Sequence, residues 1–216
     1  MFRKVLFCHL IILSVFLLIS CEEDKVTDPT DPVEWPDRTE KEDCVTIMEM
    51  VYRHREIEKY EDLLLEPDTS GVFPEGFMWL SHSEDIIDEN CWGYYQEVTL
   101  TDSILTHALE LELDLSSEGD WDTLETFREQ PCSGCWQTIR DYYLHVVLDN
   151  GTDYITDSFI RLVIGPDPAD PARFLIYQQE EMRQGVQGQV GDTGEEKWGY
   201  IKSLFLLNDS DKRSKS

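Results

Sequence analysis

Apolar positions in this chain recur first at helical and then at strand spacing. Cys44, Ile47, Met48, Val51 and Tyr52 fall at i, i+3, i+4, i+7 and i+8, one stripe of an amphipathic helix. Ahead of them, Thr39-Glu40-Lys41-Glu42 has the hydroxyl-then-carboxylate spacing of a capping box. After a basic break, Arg53-His54-Arg55, a second helix carries Ile57, Tyr60, Leu63 and Leu64. It must stop near Glu66-Pro67, because proline disfavours helix in the residue before it. Gly76 to Leu80 then reads as a short strand. Gln96 to Thr106 reads as a third helix, with Val98, Leu100, Ile104 and Leu105 partly buried.

From Ala108 the period becomes two. Leu109, Leu111, Leu113 and Leu115 alternate with Glu110, Glu112 and Asp114, a strand with one dry face and one wet. Ser116 to Gly134 reads as a loop or broken helix around Trp121, Leu124 and Phe127. Trp136 to Leu148 and Tyr154 to Ile164 are long strands. They flank Asp149-Asn150-Gly151-Thr152, and Asn-Gly is the favoured centre of a type I′ hairpin. Pro166 to Pro171 turns the chain, and Arg173 to Glu181 returns as a further strand. Thr193-Gly194-Glu195-Glu196 is a second capping box, opening a closing helix with Trp198, Ile201 and Phe205 at i, i+3 and i+7. Helices followed by an antiparallel meander predict an α+β fold. A sheet curled around the N-terminal helices makes a cone-shaped roll, a curved antiparallel sheet with an inner cavity.

The ends of the chain carry a different kind of pattern. Arg3 and Lys4 precede an apolar run from Val5 to Ile19, too short for a comfortable span and with the form of a secretory signal. Leu18-Ile19-Ser20-Cys21 resembles the lipobox of bacterial lipoproteins. That likeness implies a signal peptide over residues 1–20 and a diacylglyceryl group on Cys21, with the new amino terminus acylated (palmitate). Several acyl chains together give lasting attachment where one gives little. Glu22 in the next position points to the outer membrane, facing the periplasm, rather than to inner-membrane retention. Residues 21–38 hold Asp, Glu, Pro and Thr with little apolar material and read as a disordered acidic tether; residues 208–216 read as a frayed tail. One domain, residues 39–207, lies between.

Eighteen basic residues against 45 acidic ones give a net charge of −27. That excess argues against nucleic acid or an anionic bilayer surface as a direct partner. No D-x-D-x-D-G loop marks a calcium site, and no H-x-x-x-H spacing marks another metal; no cofactor is implied. Beyond Cys21 the domain holds Cys44, Cys91, Cys132 and Cys135. Four cysteines in an exported protein suggest disulfides, with three possible pairings. Cys132 and Cys135 could close on each other and leave Cys44 to meet Cys91. A redox C-x-x-C wants a helix start, whereas Pro131 and a strand flank this one; a four-cysteine zinc site wants two close pairs.

On the strand from Trp136 to Leu148, Asp141, Tyr143 and His145 share one face at period two, the candidate acid–base trio. Tyr142, Leu144, Val146 and Leu148 form the more apolar face, so the trio should look to solvent. Trp79, Tyr142 and Tyr177 are the candidate lining of an inner cavity suited to a flat or apolar ligand.

The stretch Val51-Tyr52-Arg53-His54-Arg55-Glu56-Ile57-Glu58-Lys59-Tyr60-Glu61-Asp62-Leu63-Leu64 resembles the nuclear transport factor two-like (NTF2-like) superfamily, which includes ketosteroid isomerase and SnoaL-like proteins. Trp198-Gly199-Tyr200-Ile201-Lys202 is similar to the ending of exported lipoproteins of this type. The resemblance spans roughly residues 40 to 206 and implies the cone-shaped fold, with dimerisation through the sheet as in many relatives. It does not imply isomerase chemistry, because Met48 stands where that enzyme has a helix tyrosine and Phe77-Met78-Trp79-Leu80 offers no carboxylate. The expectation is a lipid-anchored cell-envelope protein whose domain binds or associates: a homodimer, or a receptor for a small apolar or aromatic ligand. The alternative is an exported cavity enzyme of isomerase, dehydratase or hydrolase type, which needs at least two ionisable groups converging inside the cone.

Overall fold

The structure, a computed structural model, describes residues 32–68, 71–81, 91–116, 119–182, 198 and 201–202. Two helices open the fold, α1 (Lys41–His54) and α2 (Ile57–Glu61), followed by strands β1 (Met78–Ser81) and β2 (Cys91–Gly93). Helix α3 (Tyr94–His107) leads into β3 (Ala108–Leu115), β4 (Asp122–Phe127), β5 (Gln130–Leu148), β6 (Asp153–Pro166) and β7 (Phe174–Met182). The strands make one seven-stranded sheet in the order β2-β1-β7-β6-β5-β3, with β4 also on β5. Among the described residues β1 and β7 run parallel, and the other strand pairs are antiparallel. The sheet is curved and unclosed, and with its N-terminal helices it makes a cone-shaped α+β fold.

The stripe read for α1 is the one it buries: Cys44, Val45, Ile47, Met48, Val51 and Tyr52. The cap differs. Helix α1 starts at Glu40, whose amide donates to Asp43 Oδ2 at 3.0 Å, while the Thr39 hydroxyl turns back to Asp37 Oδ1 at 2.9 Å. At the other end Arg55 takes a left-handed conformation (φ 61°) and its amide caps Val51 O at 2.7 Å. Its guanidinium then reaches Ala108 O at 2.5 Å and Leu109 O at 3.1 Å. The basic break therefore staples α1 to the α3–β3 junction.

Helix α2 ends at Glu61, earlier than its apolar spacing suggested, because the chain turns to lay Leu64 beside Ile176 as a lone parallel bridge. Ser116 to Gly134 is neither loop nor helix over most of its length: it contains β4 and the start of β5. On β3, Leu113 and Leu115 point inward but Leu109 is 63% exposed. The register slips between Ala108 and Glu110, so Ala108 takes the buried place and Leu109 is turned out. The hairpin at 149–152 is not type I′. Gly151 alone has positive φ (82°) there, Gly151 N bonds Leu148 O at 2.9 Å, and Asn150 Oδ1 instead accepts the Thr152 amide at 2.9 Å.

Trp35 and Arg38, ahead of α1, pack against the residues that follow them. Arg38 is buried, donates to the Asp62 carbonyl and lies 3.8 Å from Asp167, and its own carbonyl accepts the Phe174 amide at 2.8 Å. Trp35 packs edge-on to His54. Residues 1–31, the tail 208–216, the capping box at 193–196 and Phe205 lie outside the described residues. No helix among the described residues is long and apolar enough to cross a membrane.

Candidate functional site

Helix α3 turns Glu97, Leu100, Thr101, Ile104 and Leu105 inward as one stripe, which carries a carboxylate into the core. Glu97 is 0% exposed. Tyr60 Oη on α2 donates to its Oε1 at 2.5 Å, and Trp92 Nε1 on β2 donates to Oε2 at 2.6 Å. Thr101 Oγ1 adds a longer bond to Oε1 at 3.3 Å, and the Lys202 ammonium, also 0% exposed, donates to the same oxygen. Gln179 Nε2 on β7 sits 3.4 Å from Tyr60 Oη and 3.2 Å from Met48 Sδ, so Met48 fills a helix position with a weak acceptor rather than a phenol.

A second buried acid stands near the first. Glu181 on β7 accepts Tyr142 Oη at 2.5 Å and the Trp198 amide at 2.9 Å, and Tyr142 Oη is 3.4 Å from Thr156 Oγ1. Trp198 ties the two acids together. Its ring packs edge-on to Trp79 (5.2 Å) and Tyr52 (5.5 Å) and tilts against Tyr142 (5.3 Å), while Trp79 stacks on Trp92 at 5.6 Å with 6° between planes. Trp198, Ile201 and Lys202 are helical and fully buried.

Burial dominates the electrostatics. It pushes the Tyr60 and Tyr142 phenols well above the ordinary tyrosine range, with Glu97 and Glu181 respectively adding to the effect. The same burial lowers the Lys202 ammonium, and the neighbouring Glu97 only partly offsets it. The two tyrosines are thus held as hydrogen-bond donors to the acids.

A separate groove opens on the outside, about 930 Å³ in volume. Phe73, Tyr94 and Tyr177 line it, with Arg38, Asp62 and Asp167 among its polar groups. Tyr177 packs edge-on to Phe73 (5.5 Å) and donates to Pro166 O at 2.7 Å.

The candidate lining residues therefore separate: Trp79 and Tyr142 meet around Trp198 in the interior, while Tyr177 belongs to the outer groove. Cys132 and Cys135 are joined as a disulfide at the groove's edge; Cys44 is a buried thiol and Cys91 an exposed one, so these two do not meet. Burial pushes Cys44 up to about 12. Tyr142, Leu144 and Val146 are buried and Asp141 is exposed, and His145 pairs with Asp153 at 2.9 Å on the outside. Sequence reasoning passed over Glu97, Glu181 and Lys202. The usable signal was position: Glu97 lies three and four residues before Leu100 and Thr101, and Lys202 four after Trp198. Among the described residues no group of His, Cys, Asp and Glu could hold a metal ion.

No family profile matches the sequence, and no curated protein matches it. Solved structures resemble it in shape. An NTF2-like superfamily protein from Salmonella enterica gives a TM-score of 0.49 at 13% identity, over 69% of this chain and 91% of that one. A hexachlorocyclohexane dehydrochlorinase from Novosphingobium barchaimii gives 0.47 at 6% identity, over 69% and 88%. A conserved protein from Planctomyces limnophilus gives 0.46 at 8%, over 63% and 88%. These likenesses carry no residue's role across.

Proposed function

We propose that this chain is a lipid-anchored cell-envelope protein, held through Cys21, whose NTF2-like domain binds or associates and does not catalyse. The observation that carries this reading is the state of the interior acids. Glu97 is engaged by Tyr60, Trp92, Thr101 and Lys202, and Glu181 by Tyr142 and the Trp198 amide, all from the chain itself. Carboxylates committed to their own protein's donors support a stable core better than proton transfer to a substrate. Two surfaces on the exterior are suited to binding. The groove at Phe73, Tyr94 and Tyr177 suits a small apolar or aromatic ligand. Ile139, Ile155 and Phe159, exposed on the outer face of β5 and β6, suit a second copy of the chain. The acidic surface keeps nucleic acid away.

A cavity enzyme is the second reading, favoured by one observation: two tyrosine–carboxylate pairs, Tyr60–Glu97 and Tyr142–Glu181, stand within the cone. Native mass spectrometry of residues 22–216 expressed into a periplasm tests the binding reading. A dimer, or a small molecule released on gentle activation, supports it; a bare monomer overturns it. The anchor has its own test, since a Cys21→Ser form that still fractionated wholly with membranes would contradict lipidation.

A further inference from the structure

The ammonium of Lys202 sits in a compartment that looks built for a cation. Its Nζ lies 4.0 Å from the centroid of the Trp79 ring and 4.9 Å from that of Trp198, and it donates to Glu97. An ammonium over an indole face with a carboxylate beside it is the arrangement that recognises alkylammonium ions.

The half of this compartment that faces Lys202 is complete without it. Glu97 is oriented by Tyr60, Trp92 and Thr101, which come from α2, β2 and α3. Trp79 is held by its stacking on Trp92, and its indole N–H has no partner among the described residues. An apolar side chain in place of Lys202 would leave Glu97 a buried carboxylate with no cation beside it, so hydrophobic packing alone cannot close this corner of the core. A carboxylate and an indole fixed by other elements, with the cation supplied by a separate segment, are instead a preorganised receptor with a ligand in place.

We propose that the cone interior is a binding site for primary alkylammonium ions and that Lys202 occupies it as a tethered ligand. An external amine binds by displacing Lys202. This goes beyond the exterior groove and sheet face, and either can fail without the other.

The test uses the full chain in detergent, with n-propylammonium chloride as the probe. It restores the three carbons and the ammonium that Lys202→Ala removes. Controls are 1-propanol and matched sodium chloride. In Lys202→Ala the amine should raise the melting temperature saturably, binding at least about tenfold more tightly than the alcohol, as a charged hydrogen bond warrants. Adding Glu97→Gln should erase that preference. Should Lys202→Ala fold poorly, refolding yield becomes the readout: recovery with the amine but not the alcohol supports the site, and equal behaviour overturns it. In the wild-type chain the amine should shift indole fluorescence saturably but at roughly tenfold or more higher concentration, because it competes with a tethered group. No amine-specific change in the wild type would reduce Lys202–Glu97 to a structural ion pair and overturn the proposal.

Discussion

Arg140 and Glu42 form a two-pronged ion pair across the cone, Nη1 and Nη2 each 2.8 Å from a carboxylate oxygen. The arginine is 1% exposed and the glutamate 47%. Arg140 also donates to Ser116 O at 2.8 Å and lies 5.4 Å from the Trp121 ring, so β5, α1 and the segment after β3 meet at one guanidinium. The glutamate's exposure screens the pair, but its loss leaves a buried cation short of its main partner. Glu42→Ala should therefore cost about 1–2 kcal/mol in urea unfolding, and Glu42→Gln less. A change below about 0.5 kcal/mol for Glu42→Ala would show that Ser116 O and the indole suffice.

The buried phenols fix an alkaline limit to stability. Tyr52, Tyr60 and Tyr142 are raised well above the ordinary value by burial, and the Cys44 thiol is raised to about 12. Between the unfolded and folded values the native state holds protons that the unfolded chain releases. Stability is therefore intact below about pH 8.5 and falls as pH rises, by ~1.4 kcal/mol per unit for each such group. Lys202 works the other way, because its lowered value makes stability rise with pH as it approaches the unfolded lysine value. One lysine against four groups leaves a net fall. Absorbance at 295 nm should show these tyrosines ionising together with loss of the near-ultraviolet circular dichroism; smooth titration in a folded protein would contradict their burial.

Thiol chemistry separates the cysteines of the domain. Cys91 is exposed, Cys44 is buried, and Cys132–Cys135 is oxidised. A form starting at residue 22 should give one fast thiol with Ellman's reagent, removed by Cys91→Ser, and a second only on unfolding. Two fast thiols would place Cys44 at the surface.

Much of this architecture can be read from side-chain spacing, and the failures have a common cause. Tyr142, Leu144, Val146 and Leu148 alternate cleanly because β5 has one face on the core and one in water. Strand β4 escaped notice because only Phe127 of its six residues is buried, so it carries no alternation. Leu109 misleads because a bulge changes its face after the pattern has been set. The interior acids are hidden more deeply. Spacing treats a charged residue as solvent-facing, and Glu97 is tolerated inside only because residues from α2, β2 and the C-terminal segment supply its donors. The one local trace is the helical spacing of Glu97 to Leu100 and Thr101; Tyr60 and Lys202, distant in sequence, leave none.

Gly165 on β6 links the core to the outer groove. A Cβ there would stand 2.7 Å from the Tyr177 ring and 2.9 Å from Cys135 Sγ, and both neighbours are pinned. Tyr177 is held by its bond to Pro166 O and by Phe73, and Cys135 by its disulfide. Gly165→Ala must therefore push the ring outward, costing about 1–3 kcal/mol as overpacking does. The displaced ring would narrow the groove, so any apolar ligand retained there should be lost at a temperature where the variant is still folded. Tyr177→Phe in the same background keeps the clash but removes the Pro166 bond, which frees the ring to swing aside. It should recover part of the stability, read as a partial return of the urea midpoint. No recovery would mean that Cys135, not Tyr177, carries the strain.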